Sequence, residues 1–388
     1  MSGRCVRWAC TVAVTGVLTG VLTGPPPASA APGPAPGPGS ERSVSELLAD
    51  LQRLYQQTEE ATETYNATAE TLKERREKAD ALTKKLTAAR SSLSSSRLDA
   101  GRLARQQYQG RSEISPYVRL LLARDPQQAL DQGRVMRRAA REQQATVERL
   151  TGREKKADAL ATKARGALDA QLRVAKRQKK DRDAVRDRLK EVEALLASLS
   201  AGQLADVARL EEQGTARAQR AFMESGALGS SAGKAPSEAG DEALSYAVQQ
   251  IGKPYVWGAE GPDSFDCSGL TSRAWARAGR EIPRTSQEQW ASLPRVPVSE
   301  LRPGDLVVYF PKATHVAMYL GDGMVIQAPR PGTRVKVSPI AANPLLGAVR
   351  PDPGASPMSG YRAPVLPDGA MDGGDGGYGA AGAPSGGR

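Results

Sequence analysis

Between residues 43 and 109 the chain repeats apolar positions in alternating steps of three and four, and this rhythm constrains its fold more than any other feature. Leu51, Leu54, Ala61, Tyr65, Leu72, Ala79, Leu82, Leu86, Ala89 and Leu93 keep the spacing, with Thr58, Thr68 and Arg75 in the remaining seam positions. A 3.5-residue repeat held for about six heptads belongs to a helix that buries one stripe against another helix. Such a helix is ~100 Å long at 1.5 Å per residue. The rhythm breaks over 110–126, where Tyr117, Val118, Leu120, Leu121 and Leu122 lie between Pro116 and Pro126. A second helical run, 127–213, places Leu150, Ala157, Ala161, Ala164, Leu168, Ala175, Val185, Leu189, Val192, Leu196 and Leu199 in its seam. Two long helices and a short break predict an antiparallel coiled-coil hairpin over 43–225. The two prolines disfavour a continuous rod, whereas dimerisation of hairpins stays open.

Composition divides the rest. Arg4 and Arg7 precede an apolar stretch from Trp8 to Leu22, followed by Pro25-Pro26-Pro27 and Ala28-Ser29-Ala30. This is the layout of a secretory signal peptide, residues 1–30, cleaved after Ala30. Its ~15-residue apolar core is short for a ~20-residue membrane span, so no span is expected after cleavage. Residues 31–42 read as a Pro/Gly linker, 226–240 as a flexible linker and 353–388 as a disordered tail. Segment 239–352 alone has globular composition, which suits a 388-residue chain with 4% aromatic residues and mean hydropathy −0.46. Within it, helical patterns at 242–250, 268–279 and 286–292 precede strand patterns at 306–310, 315–320, 324–328 and 334–337. That order predicts an α+β domain with an antiparallel sheet.

The net charge of +11 is carried mostly by the helical region, where 37 Lys and Arg face 28 Asp and Glu over 41–225. Over 239–352 the balance is 12 against 11. Interspersed charge on a coiled coil is ordinarily its solvated face. The same field would attract anionic polymers; nucleic acid is a poor partner for an exported chain.

Signal cleavage would remove Cys5 and Cys10 and leave Cys267 unpaired, the situation of a reactive thiol or of intermolecular pairing. Cys267 follows a turn-rich segment, Gly258 to Ser264, and heads an amphipathic run, Ser268 to Gly279. A helix N-terminus stabilises thiolate over thiol, which makes Cys267 a candidate nucleophile. His315 is the one histidine in the chain and so the one imidazole base on offer. If Gly321-Asp322-Gly323 is a three-residue hairpin loop, Gln327 falls on the face of His315, one diagonal away and within reach. The expected chemistry is acyl transfer: Cys267 attacks a carbonyl, His315 carries the proton, and Gln327 orients the ring. One histidine and one mature cysteine form no usual zinc set, and no glycine-rich phosphate loop is present, so neither metal nor cofactor is expected.

Several ordered motifs resemble one known family. They are Pro254-Tyr255-Val256-Trp257-Gly258, Phe265-Asp266-Cys267-Ser268-Gly269-Leu270-Thr271, Ile282-Pro283-Arg284-Thr285-Ser286-Gln287, Arg302-Pro303-Gly304-Asp305-Leu306-Val307 and His315 through Gly323. Together they look like the NlpC/p60 cell-wall peptidases over residues 239–350. The resemblance implies a papain-like α+β fold and a secreted, wall-associated enzyme. Its implied reaction is cleavage of peptidoglycan stem peptides, typically between γ-D-glutamate and the diamino acid. Family members use Cys, His and a third polar residue, matching Cys267, His315 and Gln327. That third position is most often His, so Gln327 departs from the pattern, which leaves open how strongly the imidazole is oriented but not the reaction class. Tyr255, Asp266 and Ser268 match positions near the nucleophile and in the substrate groove, although Asp and Ser also favour helix starts. The hairpin is similar to helical regions of exported wall hydrolases, which implies an arm that docks or regulates. Its partners would be anionic wall polymers and a divisome or activator protein. An amidase or acyltransferase on the same fold, and a non-catalytic wall-binding scaffold, are the alternative readings.

Overall fold

The computed structural model describes residues 42–109, 118, 125–229 and 234–372. The expected signal peptide with Cys5 and Cys10, most of the break between the helices, and tail residues 373–388 lie outside the described residues.

Helix α1 (Val44–Gln109) and helix α2 (Pro126–Ala197) run antiparallel, as cross-pairs along their length require. Near the base, Leu47, Leu51 and Tyr55 pack with Val192, Leu195 and Leu196. Further out Thr68 Oγ1 donates to Asp181 Oδ2 at 2.7 Å. Beyond that, Ala89 and Leu93 meet Ala157, and Arg97 pairs with Glu154 at 3.1 Å. Asp125 caps α2 by accepting from the Gln128 N–H, and Pro126 occupies its first turn, where no N–H is needed.

The second helical run is not one helix to residue 213. It stops at Ala197, and a new helix, α3 (Ala201–Glu224), starts from Ser200. The Ser200 hydroxyl accepts from the Gln203 N–H while the Gln203 side chain accepts from the Ser200 N–H, a reciprocal capping box. Serines at 198 and 200 compete for backbone groups that a continuous helix would use, which is why the rod breaks there. The break turns α3 toward the globular domain. Gln219 Nε2 donates to Gly323 O at 2.9 Å and its Oε1 accepts from the Ala341 N–H at 3.1 Å.

The globular domain contains α4 (Glu238–Gln249), α5 (Cys267–Arg277) and α6 (Ser286–Ser292). Its strands are β1 (Arg295–Val296), β2 (Leu306–Tyr309), β3 (His315–Gly321), β4 (Met324–Gln327), β5 (Lys336–Pro339) and β6 (Leu345–Val349). They form one antiparallel sheet in the order β1-β6-β2-β3-β4-β5. Every residue of β2 is buried because both faces of the sheet are covered. Leu306, Val308, Val316, Met318 and Ile326 face Leu244 and Ala247 of α4 and Leu270, Ala274 and Trp275 of α5. Val307, Tyr309, Ala317, Tyr319 and Val325 face the other way, where Phe222 of α3 and Leu228 pack. This is period-two alternation with apolar side chains on both faces.

Two expectations about flexible segments are corrected. Within 226–240, Leu228 is buried and Ser237 caps α4, accepting from the Gly240 N–H at 2.9 Å. The tail is ordered as far as Asp372: Met358 N bonds Pro236 O, and Val337 N bonds the carbonyl of the buried Ala370. Low-complexity composition hid the tail contacts because backbone groups make the bonds at Met358 and Ala370. Among the described residues no helix is long and apolar enough to cross a membrane.

Gly269 sits where α5 closes on the preceding loop, and a Cβ there would lie 2.2 Å from Ala259 O. Overpacking at backbone cannot be relieved by a rotamer change. Gly269→Ala is therefore expected to destabilise the domain by about 2 kcal/mol or more, read as a lowered thermal midpoint.

Candidate active site

Cys267 is the first residue of α5, and Asp266 is its N-cap, with Oδ1 accepting from the Gly269 N–H at 2.7 Å. The other carboxylate oxygen of Asp266 accepts from Gly258 N at 2.8 Å and Arg284 Nη2 at 2.8 Å. The turn before the helix and the strand of residues leading to α6 are thus tied to the residue beside the nucleophile. Ser268 Oγ accepts from Arg284 Nη1 at 2.8 Å, so Arg284 holds both neighbours of Cys267. Tyr255 is buried next to this group, and burial and the adjacent Cys267 push its phenol well above the usual range.

His315 begins β3 and Gln327 ends β4, and His315 Nε2 lies 2.7 Å from Gln327 Oε1. An amide oxygen only accepts, so Nε2 carries hydrogen and Nδ1 is left as the basic nitrogen. The strand register is that of Met318 opposite Ile326 and Tyr319 opposite Val325, which puts both side chains on one face. The expected three-residue loop is corrected. Gly321 pairs with Met324, leaving a two-residue turn of Asp322 (φ 49) and Gly323 (φ 71). Both residues take the left-handed conformation that a tight hairpin turn demands. A register shift between Tyr319 and Gly321 absorbs the difference, so Gln327 keeps its side of the sheet.

The middle of α1 lies across this site. Thr58, Glu59, Thr62, Glu63 and Asn66 are all buried, a wholly polar stripe between Tyr55 and Leu72. Glu63 Oε1 accepts from Ser268 Oγ at 2.7 Å and lies 3.7 Å from Cys267 Sγ, while its Oε2 accepts from the Ser286 N–H at 2.7 Å. Glu59 Oε1 stands 3.3 Å from His315 Nδ1, and Asn66 Nδ2 donates to Asp266 Oδ2 at 3.0 Å. Around the rim, Tyr65 meets Trp257 edge-on at 5.0 Å, Lys312 pairs with Glu60 at 2.8 Å, and Arg330 stacks over Tyr55 at 4.3 Å. Cys267 and His315 are in consequence inaccessible to solvent, at 2% and 0% relative exposure.

Burial and the carboxylates change the chemistry expected of a thiol at a helix start. Burial, then Glu63, Asp266 and Glu59, push the Cys267 thiol well above its ordinary value, outweighing the hydrogen bond from the Val316 backbone. Burial opposes a charge on His315, but the Glu59 carboxylate with help from Gln327 and Glu63 reverses the sign and favours imidazolium. Burial and the nearby Asp266 lift Glu63 to about 7. In this arrangement burial and the carboxylates favour the neutral thiol, and Glu59 favours the protonated imidazole, the opposite of what attack by a thiolate requires of Cys267.

Sequence reasoning placed Cys267, His315, Gln327, Tyr255, Asp266 and Ser268 in one neighbourhood, and the structure brings all six together. It assigned no role to Arg284, Ser286, Glu59, Glu63 or Asn66. A signal for Glu59 and Glu63 was present: acidic residues one turn apart, in a stretch of the seam where threonines replace large aliphatic residues.

Asp266 has 0% side-chain exposure and Arg284 8%, so the pair is shielded from water. Removing one partner of such a pair strands the other. Arg284→Met is expected to cost about 3–5 kcal/mol and to lower the denaturant midpoint accordingly.

Residues 252–346 match the NlpC/P60 family. Over 141 residues the chain is 41% identical to a protein of Corynebacterium glutamicum (strain R) described as "Probable endopeptidase", covering 36% of this chain and 66% of that one. It is 38% identical over 157 residues to the peptidoglycan endopeptidase RipA of Mycolicibacterium smegmatis, covering 34% and 32% of the two chains. Among solved structures, the NlpC/p60 domain of the peptidoglycan hydrolase SagA is 36% identical, with 29% of this chain and 97% of that one covered and a TM-score of 0.27. The chain thus spans less than two thirds of the length of these curated relatives.

Proposed function

We propose that this chain, which belongs to the NlpC/P60 family through residues 252–346, is a secreted peptidoglycan endopeptidase whose helical arm holds the site closed. The observation that carries the reading is Cys267 at a helix start, hydrogen-bonded to the backbone of Val316, next in sequence to a His315 ring held by Gln327. Cys267 thiolate attacks the peptide carbonyl, and His315 Nδ1 delivers its proton to the leaving amine. Water then attacks the thioester with His315 as base, releasing the acid and regenerating the thiol. Gln327 fixes the tautomer throughout. As a neutral acceptor it favours imidazolium less than a carboxylate would.

The substrate class follows from what occupies the site. Glu63 offers a carboxylate to the Ser268 hydroxyl and the Ser286 N–H, with Arg284 behind. Stem peptides of peptidoglycan bring a free carboxylate on γ-linked D-glutamate next to the scissile bond, and the same donors suit it. The arm's side chain stands where that group would bind, which supports both the γ-D-glutamyl bond as target and closure by the arm. The excess positive charge of the arm suits docking on anionic wall polymers, and an activator protein would act by drawing the arm away.

The experiment is digestion of cell-wall sacculi by the full chain, with products read by mass spectrometry. A Glu59→Ala/Glu63→Ala variant is expected to release stem-peptide fragments at least tenfold faster than the unaltered chain. Adding Cys267→Ala to that variant should abolish release. Equal rates with and without Cys267 would overturn cysteine catalysis, and equal rates with and without the glutamates would overturn closure.

A further inference from the structure

The closed site contains three carboxylates and two groups able to balance them. Asp266 takes Arg284 Nη2 at 2.8 Å, and Glu59 takes His315 at 3.3 Å. Glu63 is left with neutral donors alone, the Ser268 hydroxyl and the Ser286 N–H. Each element packed around Glu63 adds to the same imbalance. Its own helix contributes Glu59, α5 contributes Cys267 beside Asp266, and the 254–258 turn contributes Tyr255. The cation of the facing loop that reaches the site, Arg284, is already shared between Asp266, Ser268 and Glu260. The cations nearer solvent are engaged as well, Lys312 with Glu60 and Arg177 with Asp181, and Glu288 joins them there as a further acid. Burying a carboxylate that has no cation of its own favours the protonated form, here against the pull of two hydrogen-bond donors.

We propose that closure of the arm is proton-coupled: it docks with Glu63 protonated and comes away as the medium turns alkaline and that proton is lost. The proposal rests on the reading that the arm closes the site. When Glu63 takes up its proton on Oε1, the 2.7 Å contact with Ser268 Oγ reverses and the hydroxyl becomes the acceptor, while Oε2 keeps the Ser286 N–H. Once the arm has left, Glu63 is in water and ionises at an ordinary carboxylic value, and His315 loses the Glu59 charge that favours its imidazolium.

The direction follows from which state binds more protons. Glu63 is lifted from 4.5 to about 7 by burial when docked, and His315 is also raised. Both groups therefore favour docking fully at acid pH, below their undocked values. That contribution is lost as pH rises through the docked values, so the docking constant falls by up to tenfold per pH unit for each group. For Glu63 the window is 4.5 to about 7, and His315 extends it upward from 6.5. Release also relieves Cys267 of the burial, and of the Glu63 and Glu59 charges, that push its thiol up. One rise in pH thus opens the site and arms its nucleophile.

The test measures how well the arm shields Cys267 in the full chain. Reaction with 4,4′-dithiodipyridine, which attacks thiols even in acid, is followed on the Cys267 peptide by mass spectrometry, apart from Cys5 and Cys10. At each pH the rate in the Glu59→Ala/Glu63→Ala variant, divided by the rate in the unaltered chain, gives a protection factor from which thiol ionisation largely cancels. Protection is expected to fall at least tenfold from pH 5.5 to 8.5. In Glu63→Gln, neutral at every pH, the fall should be several-fold smaller, leaving the part due to His315. Protection that is high and constant with pH overturns the coupling while sparing closure. Equal falls in the unaltered chain and a folded Glu63→Gln variant overturn the role of Glu63. Protection near one at every pH instead overturns closure itself. Circular dichroism establishes that the variants fold, and the pH profile of the unaltered chain decides the coupling if Glu63→Gln does not.

Discussion

The site depends on the buried carboxylate of Asp266. One oxygen caps α5 and so sets the direction in which Cys267 points; the other gathers the Gly258 N–H, Arg284 and, from the arm, Asn66. A carboxylate with four donors can lie in a water-free place, because the bonds to its charged form offset desolvation. Asp266 thereby serves two structures at once. It organises the domain through bonds to its own backbone and Arg284, and it gives the arm a fixed point to register against.

That sharing explains why the arm carries acids and an amide where a coiled-coil seam would carry leucine. The base of the hairpin is held by apolar packing of Leu47, Leu51 and Tyr55, and the outer part by Ala89 and Leu93 against α2. Between them the helix face is spent on the domain, with Thr58, Glu59, Thr62, Glu63 and Asn66 buried in a polar contact. Polar contacts of this kind contribute specificity and little net stability, since each group exchanges water for a partner. A contact that is specific yet weakly stabilising is suited to being broken.

Much of this arrangement was legible in the residues, for identifiable reasons. The hairpin showed in its 3.5-residue rhythm, and the pairing of His315 with Gln327 showed in strand parity, both of which are local periodicities. The bulge next to Gly321 was not legible, since a two-residue turn with a bulge and a three-residue loop give the same register further along. The break at Ser198–Ser200 was written in two serines but was masked by apolar residues on either side that fit a longer helix. The arm's position over the site was the least accessible, because contacts such as Glu63 with Ser268 join residues 205 apart. Nothing in either stretch alone specifies the other.

The residues that block the site lie in the interior of a 66-residue helix, not at a chain end or in a loop. A terminal plug can fray away residue by residue, whereas an interior turn of helix keeps its shape because its backbone bonds are made within the helix itself. In the proposed opening, the Tyr55, Tyr65 and Asn66 contacts, all on this one stretch of helix, would part together. The part of α1 beyond Ser96 has no buried residue and extends well past the domain. A pull applied there would be transmitted along the helix to the contact at Glu63, so the proposed closure could be addressed from a point remote from the site.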